Sequence, residues 1–521
     1  MTSPRRLLER PDDIALFDDQ TTQRIERRAA AALPPHTLMA RAGLALLRLA
    51  RAMAPNARSA WIAAGPGNNG GDGLVLATWL HRAGMDVRVT LVGHRADRAL
   101  PDDAAWALAQ ARAAGVAIGD EPPAAAERAR LDLAVDALLG VGQSRALEGA
   151  MTDAVAILNE LCCPVLAVDA PTGLSTGTGA QLGDAAVRAT HTLTLLTPKP
   201  GLFTGTGREL AGEPWFDDLG VDPRDDEHPT ASLVGSRSAS AMLPPRRHLA
   251  NKGSYGDVHV AGGAAGMVGA SLLAAHAASL AGAGRVLVHT HASDAGGALP
   301  VDVRHPELML RPLAELQATL RDNRKATVVA GCGGGDAVAA ELPGCLAHAA
   351  RLVLDADALN AIARDASLRA LLRARGARAN TTTILTPHPL EAARLLGSDA
   401  RQVQADRLAA ARALAADTNA VVVLKGSGTL VATPDGRVAV NPTGDARLAT
   451  AGTGDVLAGW TGGLWSAQPS GDDAVGQAFS VARAAAWIHG RACDLAPGAR
   501  LPLVAGELAA HMARAVQSLA D

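Results

Sequence analysis

The chain has 521 residues, 48% of them hydrophobic, which is more than one ordinary core accommodates and implies two or more compact domains. Aromatic residues make up only 2%, the net charge is −3 and no basic block occurs, so nucleic acid is excluded as a partner. Five cysteines in so long a chain make no disulfide framework, and the adjacent Cys162 and Cys163 read as buried thiols.

The opening "MTSPRRLLERPDD" lacks the apolar segment of a signal peptide, and no uninterrupted apolar stretch approaches the roughly 18 residues of a membrane span. A soluble, cytoplasmic protein is therefore expected. Short β-rich runs follow, "WIAAG", "VRVTLVG", "LDLAVDALLG", "CPVLAVDAP" and "THTLTLLTP", alternating with Ala-rich helical segments such as "DDAAWALAQARAAG". Near-continuous apolar strands between helices predict a parallel sheet covered on both faces. The unusual residues of this half fall at strand ends, where open α/β sheets bind ligands. "GPGNNGGDG" (Gly65–Gly73) offers close backbone approach with amide and oxygen groups, and lacks the Gly-Lys-Ser/Thr of a Walker loop. "VDALLGVGQSR" and "VDAPTG" add Asp136, Asp169 and Thr172. Asn69, Asp136 and Thr172 are hard oxygen donors suited to a monovalent cation, with no His/Cys cluster for zinc. Asp169, shortly before the turn-forming Pro171, is the better candidate for proton transfer.

Taken in order, "NNGGDG", "VDALLGVGQSR", "VDAPTG" and "LTPKPGLFTGTGRELAG" resemble the NAD(P)HX epimerase family, and "TLMARAG" (Thr37–Gly43) resembles its first helix. The resemblance implies a Rossmann-like three-layer sandwich that interconverts the R and S epimers of NAD(P)H hydrated at carbon 6 of the nicotinamide ring. It implies that Asn68, Asn69, Gly70, Gly71 and Asp72 contact the dinucleotide. Gly140, Val141, Gly142, Gln143, Ser144, Arg145 and Ala146 would wrap its diphosphate. Asn69, Asp136 and Thr172 would hold a potassium ion, and Asp169 would bind the hydrated ring as acid–base. Thr172 stands where the family usually has Ser and keeps the oxygen. Val141 stands where Thr is usual and cannot donate a side-chain hydrogen bond.

The pattern lapses between about Asp217 and Pro245 into acidic, Ser- and Pro-rich sequence, which reads as a junction. The expected division is residues 1–222, a linker 223–245 and a second domain 246–521. The rhythm resumes with "YGDVHVAGG", "GRVLVHT", "ATVVAGCGGG", "RLVLDADAL", "TTILTPHP" and "AVVVLKGSG", and "TLVATPDGRVAV" predicts a hairpin turning at Asp435-Gly436. His388 sits between two prolines at a strand end, and Lys425, Gly426, Ser427, Gly428 and Thr429 form a cationic Gly-rich loop suited to an adenylate. "AGTGDVLAG" then sets Asp455 at a helix start, where it serves either as an N-cap or as a base beside a bound phosphate.

In full order, "KGSYGDVHVAGG", "GMVGA", "LDADALN", "LTPHPLEAARLLG", "LKGSGT" and "AGTGDVLAG" resemble the NAD(P)HX dehydratase family, of ribokinase-like three-layer α/β fold. The resemblance implies dehydration of the S epimer to NAD(P)H with ADP converted to AMP and phosphate, and a magnesium ion. Ala270, Gly335, His388 and Asp455 would contact the hydrate; Lys425 to Thr429 and Gly454 would contact the nucleotide; Asp455 would be catalytic. "GCGGG" (Gly331–Gly335) has Cys332 and Gly334 where Pro and Leu are usual, and Ala451 replaces a usual Gly. The expected partners are hydrated NADH and NADPH with ADP/AMP, with no nucleic acid, no membrane, and assembly as a homo-oligomer. Two rivals stand beside this reading: a vitamin or sugar kinase of the same fold joined to a nucleotide-binding domain, and a non-catalytic nucleotide-binding or scaffolding protein.

Overall fold

The computed structural model describes residues 4–8, 10–95, 97–223, 227–243, 246–290, 301–323, 325–378, 381–498 and 501–519. These form two compact units. One holds residues 1–10 and 15–231, the other residues 11–14 and 232–521.

In the first unit the strands lie in the order Arg5–Arg6, Glu213–Asp217, His191–Leu195, Val165–Val168, Leu133–Ala137, Ser59–Ala64, Asp86–Leu91 and Ala117–Gly119. Every neighbouring pair is parallel except Arg5–Arg6 with Glu213–Asp217. The central strands are buried along their whole length, because helices cover both faces and their Val, Leu and Ala side chains meet protein on either side. Glu213–Asp217 and Ala117–Gly119, short and mixed in polarity, escape the pattern used to find the others. Cys162 and Cys163 correct an expectation. Cys162 is exposed and Cys163 half-buried, because the buried strand begins only at Val165.

The second unit has a larger sheet, ordered Met309–Pro312, Arg285–Thr290, Asp257–Gly262, Thr327–Ala330, Arg351–Leu354, Thr382–Leu385 and Val421–Leu424, all parallel. Leu430–Ala432 and Val438–Val440 extend it as the antiparallel hairpin expected, with Gly436 at φ +91° in its turn. Within 223–245, Ala231–Leu233 pairs parallel with Val438–Val440, and Ser236–Ser240 is helical.

Helices Val268–Leu280 and Thr453–Ser466 pack closely because two glycines allow it. A Cβ on Gly459 would sit 1.9 Å from the carbonyl oxygen of Ala274, and one on Gly463 would sit 2.3 Å from that of Ala278. This close crossing fixes the start of Thr453–Ser466, and with it Asp455, against the sheet. Among the described residues no helix is long and apolar enough to cross a membrane.

Candidate active sites

In the first unit the strand ends open into a cavity of about 450 Å³. Asn68 and Asn69 line it from the first turn of helix Asn68–Arg82, whose N-cap is Gly67, and Asp72 lines it one turn on. Gly140, Val141 and Asp169 close another side. Gly70 and Gly71 turn the other way. A Cβ on Gly70 would meet the carbonyl oxygen of Gly65 at 1.9 Å and one on Gly71 the Met39 side chain at 2.5 Å, so Gly70 serves the packing of this helix on the strand end and Gly71 its packing on helix Thr37–Met53. Gly142 donates its N–H to Asp19 at 3.2 Å, and Gln143 ties its loop to the carbonyls of Leu139, Gly140 and Pro171. Ser144, Arg145 and Ala146 are exposed beyond that tie.

Asp169 shares a left-handed backbone with His36, Leu196 and Leu219, which also line this cavity. Its φ of +65° lies in the left-handed region, where a non-glycine residue persists only if its surroundings hold it there. They do. One carboxylate oxygen, Oδ1, takes the ammonium of Lys199 and the N–H of Leu195 at 3.0 Å, while Oδ2 stays on the side of Gly140 and Asn69. Lys199 is 1% exposed and also donates to the Leu195 carbonyl at 2.8 Å. It was not singled out from the sequence, although a lysine between two prolines in an apolar run is the signal that would have found it. Glu26, His36 and Asp103 also line the cavity and were missed, because they come from remote helices. His36 stacks on Trp106 with ring centroids 4.7 Å apart and its Nδ1 lies 2.5 Å from Asp103. Burial, then the charges of Asp169, Glu26 and Asp103, push the Asp72 carboxyl well above the ordinary range. Glu26 is displaced upward too, by burial first and Asp169 second.

Asp136 and Thr172 meet as expected but are fully buried, behind the residues that line the cavity. The Thr172 hydroxyl donates to Asp136 Oδ1 at 2.7 Å and its N–H to Oδ2 at 2.8 Å. Burial nevertheless raises the Asp136 carboxyl to about 6, against those hydrogen bonds. Among the described residues no basic side chain pairs with it. Asn69 Nδ2 is likewise buried without a hydrogen-bond partner.

In the second unit, strand ends bring together Asp355, Lys425 and Cys332, and a helix start adds Asp455. Gly452, at φ +90°, is the N-cap of Thr453–Ser466, and Asp455 is the third residue of the helix. The cap reading of Asp455 is thereby overturned. Lys425 Nζ donates to Asp355 Oδ1 at 2.7 Å, and Thr386 donates to the same oxygen at 2.8 Å. A Cβ on Gly454 would lie 3.2 Å from Lys425 Nζ, so the helix amides and the ammonium face one space. Burial, then the charge of Asp355, raises the Asp455 carboxyl to about 6.

His388 has a local task. Its Nδ1 accepts the N–H groups of Leu390 and Glu391 at 3.2 Å, capping helix Pro389–Leu396, and Glu391 accepts its N–H in return. Ala270 and Gly335 border the same glycine loop, since a Cβ on Gly333 would meet Ala270 at 2.9 Å and Gly335 donates to Asp357 at 2.8 Å. Gly426 and Ser427 are exposed, whereas Gly428 is buried and Thr429 donates back to the Gly426 carbonyl at 3.2 Å. Away from both sites, His276 and His305 stack at 3.7 Å with rings only 24° from parallel, which does not aim both lone pairs at one ion.

Comparison with known proteins divides the chain in the same sense. Residues 35–201 match the family described as YjeF-related protein N-terminus, and residues 258–516 match NAD(P)H-hydrate dehydratase. The bifunctional NAD(P)H-hydrate repair enzyme of Escherichia coli is 35% identical over 492 residues, covering 93% of this chain and 90% of that protein. The enzyme of the same description from Coxiella burnetii is 35% identical over 506 residues, covering 95% and 98%. A solved structure, the ADP/ATP-dependent NAD(P)H-hydrate dehydratase of Bacillus subtilis co-crystallised with ATP and magnesium, is 27% identical, with a TM-score of 0.44, and spans 55% of this chain and 98% of its own. At this identity, sustained over nearly the full length of both relatives, the chain belongs to the family of bifunctional NAD(P)H-hydrate repair enzymes.

Proposed function

We infer that the chain repairs hydrated nicotinamide nucleotides: the first unit interconverts R- and S-NAD(P)HX, and the second dehydrates the S form at the expense of a nucleotide. The observation that carries the second activity is Asp455, half-buried at the third position of a helix whose free N–H groups suit a phosphate. With its carboxyl near 6, Asp455 is ionised at neutral pH and matched to taking a proton from a hydroxyl. In this reading the 6-hydroxyl oxygen of the hydrate forms a bond to the terminal phosphorus of ADP as Asp455 accepts its proton, and the bond from that phosphorus to AMP breaks. The carbon–oxygen bond then breaks, phosphate leaves with its electron pair, and loss of a ring proton restores the double bond of NAD(P)H. Lys425 and the loop to Thr429, with Gly454, hold the nucleotide; Ala270, Gly335 and His388 border the hydrate.

In the first unit Asp169 is the acid–base, oriented by Lys199 and Leu195 so that Oδ2 meets the ring. Asn68 to Asp72 and Gly140 to Ala146 receive the dinucleotide. Potassium fits Asn69, Asp136 and Thr172, because a buried carboxylate without a basic partner lies beside the Thr172 hydroxyl, and all three residues carry hard oxygen donors. A bound monovalent cation would supply the missing positive charge. Magnesium fits differently. Asp355 is engaged by Lys425 and Thr386, and Asp357 by the N–H of Gly335, so the ion would ride on the nucleotide's phosphates, whose charge it neutralises when bound. The test is direct: incubate the chain with mixed hydrates of NADH and with ADP or ATP, and follow the return of dihydronicotinamide absorbance. A stable phosphorylated product without that return would favour the kinase reading instead.

A further inference from the structure

Cys332 stands where the pattern this chain resembles has proline, two residues after strand Thr327–Ala330. Its backbone is pinned. The Cys332 carbonyl accepts the N–H of Gly263 at 3.1 Å, and the preceding Gly331 donates to Ala261 at 3.0 Å. The side chain is fully buried. Its Sγ, a carboxylate oxygen of Asp455 and one of Asp355 all lie within 4.8 Å of one another. Asp355 Oδ1 is taken by Lys425 and Thr386, and the carboxylate that the thiol engages is that of Asp455.

We propose that Cys332 is a positioning residue of the dehydratase: its S–H donates to one carboxylate oxygen of Asp455 and leaves the other turned to the hydroxyl of the hydrate. This rests on Asp455 being the base. Burial and the charges of Asp455 and Asp355 push the thiol well above its ordinary range, so it remains S–H, a donor and neither a nucleophile nor a soft metal ligand. The charges facing Asp455 are Asp355 and Asp357, which disfavour its ionisation, and Lys425, which favours it. His489, whose Nε2 bonds the Thr453 carbonyl at 3.0 Å, is pushed down to about 4 by burial and is neutral at working pH. Glu391 and His388 reach Asp455 only through Lys425, which lies 4.0 Å from Glu391. The thiol is thus an uncharged group that eases the carboxylate's ionisation without occupying the space meant for phosphate.

The experiment is a pH profile of kcat/KM for dehydration of the S hydrate at saturating nucleotide, on the full chain. Cys332→Ala should move the acidic limb upward by roughly 0.5–1 pH unit, a loss of roughly three- to ten-fold on that limb, with little change on the plateau. Cys332→Ser, which keeps a donor, should restore the limb. A uniform loss at every pH would reduce Cys332 to packing and overturn the proposal. Asp455→Asn separates the two layers. If it turns over normally, the base reading itself fails. If it is inactive while the Cys332→Ala limb stays in place, only the role of the thiol fails. Should Cys332→Ala not fold, the infrared S–H band missing from Cys332→Ser decides: it should lie at the lower frequency of a bonded thiol and rise in Asp455→Asn. A band at the free-thiol frequency in the wild type would refute the hydrogen bond.

Discussion

Replacing Asp455 with Asn separates chemistry from stability in the second unit. Since Gly452 is the cap, no capping bond is lost. The folded carboxyl titrates near 6 against an ordinary 3.8, so its folded pKa is raised. A raised group contributes stability that is present below the unfolded pKa and lost as pH rises through the folded one. At about pH 8 the ionised Asp455 therefore costs the fold roughly 3 kcal/mol at most, at about 1.36 kcal/mol per unit. Its attraction to the helix N-terminus offsets roughly 0.3–1 kcal/mol of this. A neutral Asn should stabilise the second unit by up to roughly 2–2.7 kcal/mol at about pH 8 and by nearly nothing at about pH 4. Turnover should fall roughly 10²–10⁴-fold, as for a lost general base. Urea titrations at the two pH values, beside the nucleotide-dependent return of dihydronicotinamide absorbance, measure both. Near-normal turnover, or destabilisation at the higher pH, would refute the reasoning.

Asp169→Asn should stop R-to-S conversion while leaving nucleotide-dependent consumption of the S form intact; equal loss of both activities in a folded protein would contradict the division of labour. Asp136→Ala should weaken dinucleotide binding, and a crystal soaked with thallium should show a peak among Asn69, Asp136 and Thr172. An intact site without that peak would remove the ligand set. The buried pair His259 and His289, 3.0 Å apart between ring nitrogens, is pushed down to about 4 in each ring, chiefly by burial. Their stabilisation is full above the unfolded value of 6.5 and is lost as pH falls through 4. The thermal midpoint should therefore drop over that interval, and the drop should shrink when both are replaced by Asn; an unchanged slope would clear the pair.

The strands were legible because parallel sheets buried on both faces demand long apolar runs, and each run named, from "WIAAG" to "AVVVLKGSG", is a strand. Asp169 stood out as an acid after such a run, at the ligand-binding edge, and Asp455 as an acid at a Gly-rich helix start. What the sequence concealed was geometry set by backbone angles and by remote segments. Nothing in "AGTGD" reveals that Gly452 turns left-handed and takes the cap, three residues before Asp455. Lys199 joins Asp169 across 30 residues, and Glu26 reaches the same cavity from the helix Asp19–Ala32, which no motif marks. "NNGGDG" looked uniform, yet its asparagines and Asp72 face the cavity while Gly70 and Gly71 face the packing, a split that follows from helical periodicity once the helix start is known.

Residues 11–14 carry a consequence for how this protein can be taken apart. They belong to the second unit: Asp13 receives the guanidinium of Arg483 at 2.7 Å and the N–H of Gly235 at 2.8 Å, and the Pro11 carbonyl receives the N–H of Arg237 at 2.8 Å. The chain thus starts in its first body, crosses into the second for four residues, returns to build the rest of the first, and crosses back at residue 232. A single scission near the junction separates the downstream piece from these contacts and leaves Arg483, 16% exposed, without the carboxylate of Asp13. Anyone wishing to handle the dehydrating half alone would need to graft that tetrapeptide back, and a ribosome must hold it unsatisfied until more than two hundred further residues have emerged.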